Sequence, residues 1–220
     1  MAKNILIPKT NKLGTIFVML GGMILFIPLF TINHFWKFDF WAWMSLNLLF
    51  LISISLIIDK DYQKFIKNDF KNNIAKKILL GLISAVVLYF VFYFGDIISN
   101  YIFKFAESGI QNVYAFKGES SNIRILFLML IIIGPGEELF WRGYIQRNLS
   151  LRYGKYLGFA IAASAYTFVH LFTGNIMLIL SALIAGLFWG WLLIKYDSMI
   201  VNIISHTIWD ICVFVLFPFN

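Results

Sequence analysis

Apolar runs dominate the chain, and its polar positions fall in short clusters between them. Seven runs can be drawn: Leu13–Ile32, Phe40–Ile58, Ile78–Phe103, Ile123–Tyr144, Leu157–Phe172, Ile176–Ile194 and Met199–Phe217. Each is close to the ~20 residues that a helix needs to cross a hydrocarbon layer. The fifth run is short as drawn, and a start near Arg152 would lengthen it. Backbone in lipid must satisfy its own hydrogen bonds, and no alternating barrel pattern is visible, so helices are expected. The pattern predicts an all-α, polytopic transmembrane bundle of about seven spans, or eight. Between the spans, DKDYQKFIKNDFKNNIAKK (residues 59–77) reads as a loop or a helix lying on the membrane surface. The connection over residues 104–122 has room for a short amphipathic piece.

Composition agrees with lipid as the solvent. The 220 residues are 60% hydrophobic and 13% charged, against roughly a quarter charged in a soluble domain. The formal charge of +7 does not point to nucleic acid, because the basic residues sit in the short segments between spans. With the N-terminus in the cytoplasm, fourteen basic residues fall on that side and Lys37, Lys104, Lys117 and Arg124 on the other. This bias predicts a cytoplasmic N-terminus. MAKNILIPKTNK lacks a small-residue cleavage site, so the first span is expected to act as its own anchor. The single cysteine, Cys212, rules out an intramolecular disulfide and reads as a small buried hydrophobe. Chemistry-bearing groups gather late in the chain. Residues 1–121 are expected to form a packing half of three spans, and residues 122–217 a chemical core.

Ionisable groups inside spans are costly and usually face a bundle interior or a wet cavity. Three clusters qualify. In GPGEELFWRGYIQR, Glu138 and Arg142 are one helical turn apart and can pair, while Glu137 projects about 100° away. Gly134, Pro135 and Gly136 just before them are expected to break or kink the helix and admit water. In SAYTFVHLF, Tyr166 lies one turn before His170; in ISHTIWDI, His206 and Asp210 share a face at i, i+4. A glutamate and two histidines can polarise a water, directly by general-base action or through a bound Zn²⁺. Asp210 could orient a histidine or contribute at a developing oxyanion. No serine or cysteine sits in a nucleophile setting, so hydrolysis by activated water is the expected reaction class.

The same residues resemble a known family. EELFWR matches EExxxR, YTFVH approximates FxxxH and HTIWD matches HxxxN/D of the CAAX-protease and bacteriocin-processing (CPBP, or Abi) family of intramembrane proteases. The resemblance covers about residues 122–215. It implies a helix bundle with a site in the membrane that opens toward the cytoplasm, and cleavage of a membrane-associated CAAX-type protein, leader or bacteriocin peptide. It further implies Glu137 as the water-activating acid and Glu138 with Arg142 as a supporting pair. His170 and His206 would hold the water, or with Glu137 a Zn²⁺ ion; a metal-free glutamate mechanism is equally compatible. Asp210 would take the oxyanion or orienting position, yet an ionised carboxylate cannot donate a hydrogen bond, which favours orienting His206. Tyr166 in place of Phe brings a hydroxyl near His170.

Two other classes compete: a non-catalytic immunity or signalling scaffold of the same family, and a proton-coupled transporter. Retention of all the polar positions argues against the first. The second is disfavoured by the lack of an internal repeat and by a kink expected in one motif helix alone. Lys-, Asn- and Ile-rich usage points to a bacterial plasma membrane, with lipid and a membrane-associated substrate as partners.

Overall fold

The computed structural model describes residues 12–31 and 39–219. Lys3, Lys9 and Lys37, counted above for orientation, and the start of the expected anchor lie outside the described residues. Those described are almost wholly helical and contain no strand. Helices α1 (Lys12–Thr31) and α2 (Phe40–Ile58) come first, followed by α3 (Lys60–Asp69), α4 (Ile74–Ile102) and α5 (Ala106–Tyr114). A composite helix, α6, occupies residues 122–153, and α7 (Lys155–His170), α8 (Ile176–Tyr196) and α9 (Met199–Ile211) complete the bundle. Six helices are long and apolar enough to cross a membrane: α1, α2, α4, α7, α8 and α9 with its terminal turn. The expected fourth span corresponds to α6. The chain is an integral membrane protein, and large side chains such as Val86, Phe90, Phe94 and Ile97 of α4 lie exposed on its outer surface.

Polar side chains fix where the helices begin. Asp39 accepts from Ala42 N at the start of α2, Ser121 from Arg124 N at α6, and Asn175 from Met177 N and Leu178 N at α8; each satisfies a donor that the first turn leaves unpaired. Asp59 does the same for α3 and also receives Asn148 Nδ2 from α6 at 3.0 Å. The polar segment 59–77 therefore contains a true helix, pinned to the bundle. Tyr62 of α3 is fully buried, and its hydroxyl donates to Leu139 O of α6 at 2.6 Å. Asp69 closes the same end. It accepts from Lys77, Ser198 Oγ and Ile200 N, holding the first turn of α9.

Two interior clusters connect the halves of the chain. Phe26 and Leu29 of α1 and Trp41 and Leu48 of α2 pack with Phe140, Trp141 and Tyr144 of α6. Ala85 and Leu88 of α4 pack with Trp189 of α8 and Val201 and Trp209 of α9. Cys212, expected to be buried, is half-buried in the π turn Cys212–Leu216 after α9.

The expected break at Gly134–Gly136 is absent. The backbone stays helical throughout, with Gly134 at φ −57° and ψ −51°. Instead, α6 widens into π turns over Met129–Ile133 and Glu138–Gln146, on either side of the short α segment Gly134–Glu137. Pro135 lacks an N–H and its ring crowds the preceding turn, and the wider i→i+5 turn before it accommodates both. Gly134 serves a close approach, because a Cβ there would lie 2.5 Å from Thr207 Oγ1 and 2.9 Å from Thr207 Cα. The glycine lets α9 come against α6 where the charged residues sit.

The fifth span begins at Lys155 after a turn at Gly154, not near Arg152, which ends α6. α6 and α7 form a tight hairpin there, and a Cβ on Gly158 would lie 2.2 Å from Ser150 N. Backbone cannot yield as a side chain can. Gly158→Ala is therefore expected to cost about 1–3 kcal/mol, read as a lower thermal unfolding midpoint in detergent micelles, with wild-type expression of the membrane-inserted chain.

Candidate active site

The two adjacent acids of α6 have different surroundings. Glu138 is fully buried. Its Oε1 accepts from Arg142 Nη1 at 2.9 Å and faces His206 Nδ1 at 2.8 Å, and its Oε2 accepts from Asn202 Nδ2 at 2.9 Å. One carboxylate thus joins a turn of α6 to two turns of α9. Asn202 Nδ2 also donates to Trp189 O at 2.8 Å, which ties in α8. The Trp189 ring stacks on His206 with centroids 3.6 Å apart and planes at 17°. The Arg142 guanidinium lies 4.4 Å from the Tyr166 ring centroid, a cation–π contact that reaches α7.

Glu137 faces the other way, as its 100° offset requires. Its Oε2 accepts from the Tyr166 hydroxyl at 2.8 Å. The hydroxyl expected near His170 therefore serves Glu137, although the Tyr166 and His170 rings still touch, with centroids 4.8 Å apart. His170 Nδ1 lies 2.8 Å from Tyr166 O. A carbonyl can only accept, so Nδ1 carries the hydrogen and the neutral ring is left with Nε2 as an acceptor. His206 Nε2 lies 3.5 Å from Asp210 Oδ2. Nδ1 is already engaged by Glu138, so both nitrogens of this ring point at carboxylates.

Glu137, Tyr166, His170, His206 and Asp210 line one cavity of about 280 Å³ with otherwise mostly apolar walls. All six residues singled out from the sequence fall at one centre, four lining the cavity and Glu138 with Arg142 immediately behind them. The sequence reading missed Asn202, Trp189 and Trp41. Asn202 was detectable, since Asn202, His206 and Asp210 are spaced at i, i+4, i+8 along one face of α9. The N-terminal half is also more than packing, because Phe30, Trp41, Met44 and Asp96 line the cavity.

The cavity lies toward one end of the bundle. Its lining comes from Phe30 near the end of α1, Trp41 at the start of α2, residues 91–99 of α4 and His170 at the end of α7. Each is at the end of its helix remote from the lysine-rich segment 59–77. A polar recess of about 1050 Å³, lined among others by Asp39, Asn112, Lys117 and Arg124, continues it outward and shares Phe30, Phe40, Trp41 and Phe116. The expectation that the site opens on the lysine-rich side is corrected here. The length count put Glu137 near that side, but the Glu138–Arg142–Asn202 cluster and the rings around it fill the space there.

The expected metal ligands were tested on geometry. Among the described residues no three His, Cys, Asp or Glu side chains are grouped to hold a metal ion. Glu137, His170 and His206 share the cavity, but Glu138 occupies Nδ1 of His206 and Tyr166 occupies an oxygen of Glu137. The residues as arranged do not fit Zn²⁺.

The family model for type II CAAX prenyl endopeptidase Rce1-like proteins matches residues 119–212. The segment is Rce1-like. The match agrees with the motif resemblance and brings the protease activity of a CAAX endopeptidase family to the part of the chain that holds all six residues. Comparisons with curated proteins and with solved structures give no significant match. The N-terminal helices α1–α5 lie outside the Rce1-like segment, yet they supply part of the cavity wall.

The two acids of the Rce1-like segment should separate by measurement. Glu138→Ala leaves Arg142 and His206 buried without their carboxylate and is expected to cost about 3–5 kcal/mol, enough to unfold the bundle. Asn202→Ala is expected to cost about 1–3 kcal/mol. Glu137→Gln, facing the cavity, should leave the thermal midpoint in micelles near that of wild type.

Proposed function

We propose that the protein is an intramembrane endopeptidase in which Glu137 activates a water against a peptide carbonyl of a membrane-associated peptide or protein. The observation that carries this reading is the division between adjacent acids. Glu138 is closed off in a hydrogen-bonded cluster, while Glu137 lines the cavity with one oxygen fixed by Tyr166. No described residue donates to its second oxygen, Oε1, which is left to receive the water proton.

His170 Nε2 is the acceptor that would hold the other hydrogen of that water. Once the oxygen has attacked, negative charge develops on the carbonyl oxygen. His206 is positioned through Nδ1 by Glu138, and a proton on its Nε2 would be shared between Asp210 and that oxygen. Asp210 then orients His206, in keeping with a carboxylate's inability to donate. Glu137 returns its proton to the leaving nitrogen, the C–N bond breaks, and the carboxylate is restored. Because the donors do not fit a metal, each step is assigned to side chains and water.

The lysine-rich end supports a cytoplasmic assignment for segment 59–77 by charge bias. A substrate would then reach the cavity from the non-cytoplasmic face of a bacterial plasma membrane, through the polar recess or from the lipid.

In a cleavage assay with peptides presented in micelles, Glu137→Gln is expected to lower kcat by about 10³-fold. Tyr166→Phe is expected to lower it about tenfold by loosening Glu137. If Glu137→Gln cleaves like wild type, the assignment of the base is wrong. Treatment with EDTA or 1,10-phenanthroline should leave the rate within about twofold, where a metal-dependent enzyme would lose activity.

A further inference from the structure

The electrostatics of the cavity wall point to the kind of peptide it takes. Three carboxylates line the cavity, Asp96, Glu137 and Asp210, and neither a lysine nor an arginine does. Arg142 lies behind the wall and is committed to Glu138. A substrate whose free C-terminal carboxylate entered here would meet like charges without a counter-ion, which suppresses binding.

Asp96 is not used by the proposed reaction. It is the sole acid in the 29 residues of α4, placed about 9 Å from that helix's end by the rise per residue. An acid in a spanning helix is costly and marks a functional contact by default. Its Oδ1 accepts from Asn100 Nδ2 at 2.9 Å, and among the described residues no cation pairs with it. Ser99 and Ser181 stand in the same wall. Its charge also reaches its neighbours: burial pushes the Tyr114 hydroxyl up to about 12, and Asp96 adds to that rise.

A second observation points to a peptide as the occupant. Trp41 and Trp209 line the cavity, are 3% and 9% exposed, and have indole N–H groups with no hydrogen-bond partner among the described residues. A buried donor left unpaired is unfavourable. A peptide carbonyl would satisfy it.

We propose that Asp96 forms a cation-accepting subsite at the mouth of the cavity, so that the bound peptide carries a Lys or Arg side chain, or a free amine, at a fixed distance from the scissile bond. The proposal rests on the peptidase reading for the scissile bond but makes a separate claim about recognition.

The test uses the full-length protein in micelles and a set of dansyl-labelled, C-terminally amidated octapeptides of Leu, Phe and Ala. The set carries one Lys or one Glu at each position in turn. Binding is read by energy transfer from protein tryptophan to dansyl, and cleavage of the same peptides by mass spectrometry. In at least one register the Lys peptide is expected to bind about tenfold more tightly than its Glu counterpart. Asp96→Asn, with its fold checked by thermal melting, should reduce that ratio to about twofold or less, and Asp96→Lys should reverse it. Equal binding of Lys and Glu peptides in every register, or an unchanged ratio in Asp96→Asn, overturns the subsite. Glu137-dependent cleavage without Asp96-dependent preference sinks the subsite and leaves the peptidase standing. Asp96-dependent binding with no Glu137-dependent cleavage of any peptide sinks the peptidase reading and leaves a binding site for cationic peptides.

Discussion

The structure depends on one carboxylate. Glu138 is fully buried among apolar side chains and is held by Arg142, His206 and Asn202. A bare charge at such depth is strongly unfavourable, and the arginine and three-way hydrogen bonding are what make it tolerable. The same contacts fix α6 against α9, and through Asn202 and the Trp189 ring they bring in α8. The orientation of the His206 imidazole, the placement of Trp189 against it and the exclusion of water from the lysine-rich side all follow. Glu137 can stand at a cavity because its neighbour has closed the other side of the helix.

Much of this was legible in the chain. The α2 boundaries match the apolar run Phe40–Ile58, and the other spans differ by a few residues. Length and hydropathy decide these elements almost alone in lipid. The polar centre was legible for a related reason, since ionisable residues in apolar runs are few and their helical spacing shows which share a face. The Glu138–Arg142 pair at i, i+4 and the separation of Glu137 are local geometry, and they hold.

What did not show was tertiary. A Pro flanked by glycines reads locally as a break, and only the approach of Thr207 and the π turns around it explain why α6 stays continuous. Asn202 was overlooked because an amide in a span carries no charge to draw attention, although its spacing from His206 was visible. Counting residues along one helix could not say which end of the bundle the cavity faces. That depended on which rings from other helices fill the space behind Glu138. The N-terminal wall residues Trp41 and Asp96 carry no motif and come to the site through packing alone.

The two π turns of α6 have a consequence for how the gene can change. A π turn holds one residue more than the α turn it replaces, so it sets the angular phase of everything downstream. Deleting one residue within Met129–Ile133 could restore ordinary α geometry at little cost to the helix itself. It would also rotate the following positions by about 100°, exchanging the faces on which Glu137 and Glu138 look out. The segment upstream of the acids can thus change its side chains more freely than its length, and single-residue gaps there, rather than substitutions, are the lesions that would silence the site while leaving a bundle that inserts.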